Sequence, residues 1–147
     1  TRKGGRRPRQ IRRTVLAGLI AGLLLPSAPV LAEDYNDVTL GDDATASMTV
    51  SDGETASRTT INSGGIQYVF GGVATSTIIN SVGYQDVFSG GSATGTIINS
   101  GGAQNVSSGG SATSTTINWG GTQNVSSGGS ATSTTIYSNG TQNIYRG

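Results

Sequence analysis

The stretch GGSATGTIINSGGAQNVSS, residues 90–108, decides how the chain folds because it is one copy of a repeat. It recurs as GGSATSTTINWGGTQNVSS at residues 109–127, and less closely at residues 71–89 and 128–146. The Gly-Gly pairs that open these copies begin at positions 71, 90, 109 and 128, a step of nineteen residues. An earlier copy, GETASRTTINSGGIQYVF at residues 53–70, is one residue shorter. A fixed period of this length is typical of a stacked repeat architecture.

Each copy contains two strand-like pieces, one similar to ATSTTI and one similar to QNVSS, separated by glycine turns. Their Thr, Ile and Val residues favour β-strand. We therefore predict an all-β fold, a right-handed parallel β-helix (β-solenoid) of 19-residue coils with two main strands per coil. A left-handed hexapeptide helix needs a period built on six, and a calcium-binding β-roll needs a recurring Asp, whereas no Asp or Glu follows Asp86.

Stacked coils place equivalent residues in columns about 4.8 Å apart. Three apolar columns are expected to face inward: Ala56, Ala74, Ala93, Ala112 and Ala131; Ile61, Ile79, Ile98, Ile117 and Ile136; Val69, Val87, Val106, Val125 and Ile144. Repeated amides can bond in ladders, although separate surface amides are an equal alternative for the Gln column. The amide columns are Asn62, Asn80, Asn99 and Asn118, and Gln67, Gln85, Gln104, Gln123 and Gln142. A positive φ is expected at one recurring glycine corner, formed by Gly65, Gly83, Gly102, Gly121 and Gly140.

The chain divides into three predicted segments. Residues 1–32 have the basic start, apolar run and small-residue end of a secretory signal peptide, with cleavage between Ala32 and Glu33. The apolar run is too short for a membrane anchor across a bilayer core of about 30 Å. Residues 33–51 lie outside the repeat register and are predicted to cap the solenoid, with calcium binding as the weaker alternative. Residues 52–147 hold five repeats of 18–19 residues. We expect the signal to be incomplete at its start and the repeats to continue into a longer passenger domain.

Charge and composition exclude several functions. Seven of the nine Lys and Arg residues lie in the first thirteen positions, so the chain after Ala32 carries two arginines against eight acids. The repeats therefore offer no basic face for nucleic acid. Cys and His are absent, which excludes a disulfide framework and thiol chemistry. The carboxylates match no acid–base pair, so we predict no enzyme, no cofactor and no metal site.

Hydroxyl side chains occupy most of the remaining repeat positions. Threonine pairs recur as TxT, and a flat TxT ladder is the surface that ice-binding β-helices present; the alternative is a purely structural, solvated β-surface. These pairs are Thr75/Thr77, Thr94/Thr96, Thr113/Thr115 and Thr132/Thr134. Serines recur before the glycine turns, where hydroxyls suit the turn conformation or accept sugars.

The unit GGxATxTxINxGGxQxVSS, with a signal-led start and no cysteine, resembles the passenger repeats of AIDA-type self-associating autotransporter adhesins. The resemblance implies an extended signal, a β-helical passenger and a C-terminal outer-membrane barrel. It also implies export through the inner membrane to the periplasm, display at the cell surface or secretion, adherence to and invasion of host cells, autoaggregation and biofilm formation.

Glycosylated members of this family carry O-linked heptose, added in the cytoplasm by a dedicated dodecameric heptosyltransferase. By this resemblance the chain is an acceptor substrate for such an enzyme. The candidate acceptors are the corner serines Ser63, Ser81 and Ser100, and Ser89, Ser108 and Ser127. Trp119 replaces the serine in the fourth copy and Tyr137 replaces the Asn in the fifth, so we do not expect every repeat to be used.

Overall fold

The computed structural model describes residues 31–42 and 45–146, which form six coils of one parallel β-solenoid. Each coil contributes three short strands, and every strand pairs in parallel with its equivalents in the neighbouring coils. Three six-stranded sheets therefore enclose a narrow core. The predicted parallel β-solenoid is confirmed.

The three sheets have the following strands. The first sheet contains β1 (Asp34–Asn36), β4 (Thr55–Ser57), β7 (Val73–Thr75), β10 (Ser92–Thr94), β13 (Ser111–Thr113) and β16 (Ser130–Thr132). The second contains β2 (Thr39–Leu40), β5 (Thr60–Ile61), β8 (Ile78–Ile79), β11 (Ile97–Ile98), β14 (Thr116–Ile117) and β17 (Thr135–Ile136). The third contains β3 (Ser47–Val50), β6 (Ile66–Phe70), β9 (Tyr84–Phe88), β12 (Ala103–Val106), β15 (Thr122–Val125) and β18 (Thr141–Ile144).

The prediction of two strands per coil is wrong because the ATSTTI piece bends in its middle. Ser114, between β13 and β14, has φ 55°, and Ser76 and Ser133 have φ 55° and 56° at the equivalent place. This left-handed conformation is uncommon for a residue with a side chain. It ends the first strand and starts the second in a new direction, so each coil has three sides.

Residues 34–50 form a complete first coil. The pairing offset to the second coil is 21 residues in the first two sheets and 19 in the third, so the extra residues lie between Leu40 and Ser47. This insertion explains why the segment falls outside the repeat register. Leu40 and Val50 are buried and extend the apolar columns of the later coils. The capping role of this coil stays a prediction.

The predicted signal peptide, residues 1–32, lies outside the described residues except for Leu31 and Ala32. Sheet pairing starts at Glu33, whose carbonyl accepts a hydrogen bond of 3.1 Å from the backbone N–H of Thr55. The residue predicted to follow the cleavage site is therefore part of the fold. The described residues contain no helix long and apolar enough to cross a membrane.

The three apolar columns face inward as predicted. Their Ala, Ile and Val residues are buried from the second to the fifth coil. In the sixth coil Ala131 is half-buried, and Ile136 and Ile144 are exposed, because no further described coil packs on them. Each coil thus contributes only three apolar side chains to the core, one from each sheet, and other residues must fill the remaining interior.

A fourth inward column consists of glutamines. Gln67, Gln85, Gln104 and Gln123 are fully buried. The last three each donate a hydrogen bond of 2.7 Å from Nε2 to Oε1 of the preceding glutamine. The ladder begins at Met48, whose sulfur lies 3.6 Å from Gln67 Nε2. The alternative of separate surface amides for this column is therefore wrong.

A column of buried threonines completes the ladder. Thr96 Oγ1 donates to Oε1 of Gln85 at 3.1 Å and accepts from Nε2 of Gln104 at 3.2 Å. Thr115 repeats both contacts one coil later. Each internal glutamine thus uses both amide protons and both lone pairs of its oxygen, and no buried side-chain polar atom in the described residues lacks a partner. A satisfied network of this kind avoids the penalty of burying polar groups.

Replacing Gln104 with leucine is expected to lower the free energy of unfolding sharply. The Thr115 hydroxyl and one amide proton of Gln123 then have no acceptor, which destabilises the chain by roughly 2–6 kcal/mol at about 1–3 kcal/mol per buried donor. Urea denaturation followed by circular dichroism measures this loss. The control is Asn105→Ala, which removes a half-exposed amide of the outer face whose partners can bind water instead. Equal losses in the two variants would contradict the role assigned to the buried ladder.

Candidate functional site

The candidate site is the set of corners that carry exposed hydroxyls. We number the corners by position in a coil: the first lies between the strands of the first and second sheets, and the second between those of the second and third. The third leads to the next coil. Each of the two later corners is a tight turn closed by a backbone hydrogen bond.

At the second corner, serine occupies the tip of a four-residue turn. In residues 99–102, the N–H of Gly102 donates to the carbonyl of Asn99 at 2.9 Å, and Gly101 has φ 76°. A left-handed residue at the third position is the pattern of a type II turn. Ser100, at the second position, is exposed.

The third corner is built differently. In residues 107–110, the N–H of Gly110 donates to the carbonyl of Ser107 at 2.8 Å. Both central residues are left-handed, with φ 46° at Ser108 and 85° at Gly109, as in a type I′ turn. The one-residue deletion in the second coil falls at this corner, where Phe70 is followed directly by Gly71-Gly72 and no serine is present.

All six predicted acceptor serines are exposed, and the structure places them in two separate columns. Ser63, Ser81 and Ser100 lie on the second corner, and Ser89, Ser108 and Ser127 lie on the third. The two columns occupy different edges of the solenoid, so they form two ridges of hydroxyls rather than one patch. Sequence reasoning missed a third ridge at the first corner, where Ser76, Ser114 and Ser133 are also exposed. The signal was the serine inside each TST triplet.

The expected positive φ at the recurring second-corner glycine is wrong, and that glycine has a different purpose. The left-handed residue is the one before it. A Cβ built on Gly102 would lie 2.7 Å from the carbonyl oxygen of Ile79 in the preceding coil, which is closer than nonbonded atoms approach. The same close approach recurs at Gly65, Gly83, Gly121 and Gly140. These glycines therefore allow one coil to lie directly against the next.

The left-handed position itself is not always glycine. Val82 occupies it with φ 58°, and a β-branched residue in this conformation is a steric outlier. Asn139 occupies it in the last described coil with φ 59°. The turn therefore persists through residues that disfavour it, because coil-to-coil pairing fixes its shape.

Backbone pairing continues around the corners. Ser89 N–H donates to the carbonyl of Ser108 at 2.9 Å, and Ser108 N–H donates to that of Ser127 at 3.0 Å. At the second corner, Gly101 N–H donates to the carbonyl of Gly120 at 3.0 Å. The exposed hydroxyls thus project from a hydrogen-bonded edge and keep a fixed spacing from coil to coil.

Two amide ladders flank the corners. Asn80, Asn99 and Asn118 each donate from Nδ2 to the preceding Asn at 2.9 Å, as the ladder alternative predicted. A second ladder, on the outer face of the third sheet, was missed: Asn105 donates to the Asp86 carboxylate at 2.7 Å, and Asn124 and Asn143 follow at 2.9 and 3.0 Å. Its signal was the Asn that follows the last three glutamines of the column, Gln104, Gln123 and Gln142. In all three ladders the side-chain amide donates to the equivalent residue of the preceding coil.

The predicted TxT face does not exist. Thr77, Thr96 and Thr115, the second members of three pairs, are buried and bond to the core glutamines. The left-handed residue between the two threonines turns the second one inward. Because an ice-binding surface requires both hydroxyl rows on one flat exposed face, the structure contradicts that alternative.

Exposed apolar side chains cluster on the second and third coils. Phe70, which is exposed, and Phe88, which is half-buried, lie on the outer face of the third sheet with ring centroids 5.4 Å apart, edge to face. Tyr84 is exposed on the same face. Serine and alanine replace Phe88 and Tyr84 in the next coil. Such a cluster is a common feature of association surfaces.

Charged groups contribute one local contact at the first corner. Asp37 and Arg58 are stacked there, with 2.6 Å from Nε to Oδ1 and 2.9 Å from the second guanidinium nitrogen to Oδ2. The hydrogen bond and the Coulomb attraction raise the pKa of Arg58. Both side chains are more than half exposed, so the pair adds little stability. Within residues 31–42 and 45–146, no three carboxylates come together as metal ligands would.

The repeats match a known protein family. The sequence profile of the family described as adhesin of bacterial autotransporter system, probable stalk, matches residues 68–121 and 88–140. These residues are the part of the solenoid with the regular ladders and the serine corners.

Relatives of known sequence and structure agree with this match. Autotransporter CRAC of Citrobacter rodentium (strain ICC168) is 74% identical over 70 residues, 47% of this chain and 4% of the relative. Autotransporter adhesin/invasin TibA of Escherichia coli O78:H11 (strain H10407 / ETEC) is 67% identical over 70 residues, 47% of this chain and 7% of TibA. The crystal structure of a TibC-catalysed, hyper-glycosylated TibA fragment has a TM-score of 0.73 and 61% identity, covering 74% of this chain and 40% of that chain. The chain thus spans a small part of its relatives' length.

Adjacent glycines at the third corner are expected to respond differently to alanine. Gly110→Ala places a Cβ 2.2 Å from the carbonyl oxygen of Val87, and this clash with backbone is expected to cost about 3 kcal/mol or more, the upper end for overpacking. Gly109→Ala meets nothing closer than 3.7 Å and should cost only the left-handed penalty of about 1–2 kcal/mol. Urea denaturation of both variants checks the order. A larger loss for Gly109→Ala would refute the close-packing explanation.

Proposed function

Because the repeat region belongs to the stalk family of bacterial autotransporter adhesins, we propose that this chain is part of the surface-displayed passenger of an adhesin or invasin. The observation that carries the proposal is the agreement of sequence and fold over the same coils: the family profile matches residues 68–140, and the glycosylated TibA fragment has the same architecture at 61% identity. The route follows from this assignment: export through the inner membrane, passage through the periplasm, and display at the outer membrane or release.

A parallel solenoid suits a stalk for a mechanical reason. Each coil adds about 4.8 Å along the axis. Every described coil pairs with its neighbours in three sheets, and three side-chain amide ladders join the third, fourth and fifth coils. Additional repeats therefore lengthen the solenoid while keeping the same fold. In this role the solenoid holds adhesive surfaces away from the cell and toward a host cell or another bacterium.

The corner serines are the proposed acceptors of O-linked heptose, with a cognate cytoplasmic heptosyltransferase as the partner. Support comes from the TibA fragment, which is hyper-glycosylated in a reaction catalysed by TibC, and from the exposure of Ser63, Ser81, Ser100, Ser89, Ser108 and Ser127. In the transfer, the serine Oγ forms a bond to the anomeric carbon of an activated sugar, the bond to the leaving group breaks, and the hydroxyl proton passes to a base of the transferase. The chain itself needs no catalytic residue.

Regular spacing makes the ridges good substrates for repeated modification. Equivalent hydroxyls lie one coil apart, on four-residue turns that are each closed by a hydrogen bond from the N–H of the fourth residue to the carbonyl of the first. A transferase that recognises one turn meets the same geometry at the next coil. Ser89 and Ser108 of the third corner have a positive φ, and the serines of the second corner do not, so a transferase that recognises the backbone of the turn would distinguish these two columns.

Self-association with like passengers is the second proposed activity. It is supported by the apolar cluster on the outer face of the third sheet, in which Phe70 and Tyr84 are exposed and Phe88 is half-buried. Aromatic residues are enriched among those that dominate the binding energy of protein interfaces. A second copy of the passenger can cover this cluster side by side, because the outer face of the third sheet runs along the whole stack of coils.

Intact mass tests the glycosylation proposal. The chain co-expressed with its heptosyltransferase is expected to gain several increments of one heptosyl residue, and the triple variants S63A/S81A/S100A and S89A/S108A/S127A should each lose up to three. Ser111→Ala is the control, because Ser111 is half-buried within β13 rather than on a corner. An unmodified mass in the presence of the active enzyme would refute the proposal and leave a purely structural stalk.

Sedimentation velocity tests self-association. The double variant Y84A/F88S introduces the residues that the next coil carries in the same columns, so the fold is expected to be retained. Loss of two aromatic contacts should raise the dissociation constant for self-association at least about tenfold. Ser107→Ala serves as the control. An unchanged constant in the double variant would exclude this face.

A further inference from the structure

Trp119 is the one tryptophan of the chain, and it stands where a serine is expected. It occupies the tip of the second-corner turn that Ser63, Ser81 and Ser100 occupy in earlier coils. Its side chain is 61% exposed. The turn closes as in the other coils, with the N–H of Gly121 donating to the carbonyl of Asn118 at 2.9 Å. The indole therefore contributes nothing that the turn needs.

The neighbouring serine leans toward this tryptophan's coil. A Cβ built on Gly120, the residue after Trp119, would lie 2.8 Å from Ser100 Oγ. The same distance separates Gly101 from Ser81 Oγ one coil earlier. Second-corner hydroxyls thus point along the axis toward the following coil, and a group attached to Ser100 Oγ extends toward Trp119. A group on Ser138, extending in the same direction along the axis, would lead away from Trp119.

The dimensions match those of one sugar ring. Equivalent positions lie about 4.8 Å apart along the axis, about the reach of a pyranose ring attached through a single oxygen. The face of an aromatic ring carries partial negative charge, which attracts the weakly positive C–H groups on the apolar face of a sugar. Tyr137 is also exposed, but by register it lies in the Asn118 column one coil beyond Trp119, so Trp119 is the aromatic residue that faces the Ser100 coil.

We propose that Trp119 is a saccharide-binding residue that stacks on the glycan attached to Ser100. The proposal rests on glycosylation of the corner serines as proposed above, and it adds a ligand contact within the solenoid itself. Packing on the indole fixes the sugar against the corner, whereas the sugar on Ser81 meets only Ser100 in the next coil and keeps its mobility. The second-corner column of acceptor serines thus ends, at Ser100, with a glycan that Trp119 holds in an ordered position.

The test uses Trp119 as its own reporter. Acrylamide quenching of the tryptophan fluorescence is measured on the full chain, made with and without the heptosyltransferase. Modification is expected to lower the quenching constant by roughly half, because a sugar covers one of the two ring faces. S100A, modified at its remaining serines, should keep the unmodified value, and S81A should behave as the wild type. Free heptose added to the unmodified chain should not change the constant, since only the attached sugar is held in place.

Intact mass separates the two ways in which this test can fail. A mass gain with an unchanged quenching constant overturns stacking on Trp119 while leaving glycosylation established. A mass gain with equal protection in S100A assigns the sugar elsewhere and also overturns the proposal. No mass gain refutes the glycosylation on which it depends, and the proposal with it. Two-dimensional NMR contacts between indole and sugar protons, absent in W119S, give an independent readout.

Discussion

The buried glutamine–threonine ladder is the constraint on which the rest of the structure depends. Each internal amide is satisfied only if a glutamine and a threonine lie at the same places in the coils before and after it. A polar group left without a partner in this interior is strongly destabilising. A register shift of one residue would turn the glutamine outward and leave the glutamines and threonines that bond to it without partners. The ladder therefore fixes the register as well as the stability of the stack.

This constraint explains why the corners contain glycine. Ladder bonds of 2.7 Å require neighbouring coils to lie close over their whole circumference. At the second and third corners the backbone of one coil passes directly over a carbonyl of the coil before it, and there is no space for a Cβ at Gly102 or Gly110. Glycine is thus required at Gly102 and Gly110 by the backbone of the preceding coil, whereas the left-handed conformation of the turn falls on the residue before each of them.

The sequence predicted the columns of the solenoid better than the direction in which they face. The nineteen-residue period predicts the length of one coil, and the recurring apolar residues predict the inward Ala, Ile and Val columns. The exposed serines follow from their places beside the glycine turns. The glutamine column remained ambiguous because an amide suits either water or a ladder, and only the depth of burial distinguishes them. The TxT spacing of Thr113 and Thr115 predicts one shared outer face, because residues two apart on a strand point to the same side. The left-handed Ser114 breaks that alternation, and serine gives no clear signal of this conformation.

Interior and corner positions therefore follow different rules. A change at Gln104 is felt by four side chains in three coils, whereas Ser100 and Trp119 occupy equivalent turns that close with the same 2.9 Å hydrogen bond. The deletion in the second coil and the insertion in the first also fall outside the strands, and pairing resumes after each. Because the ladder holds the coil together from within, the corner residues are free to differ from coil to coil. Variation in function is thus expected at the corners, where a serine, a valine or a tryptophan alters the surface and leaves the stack intact.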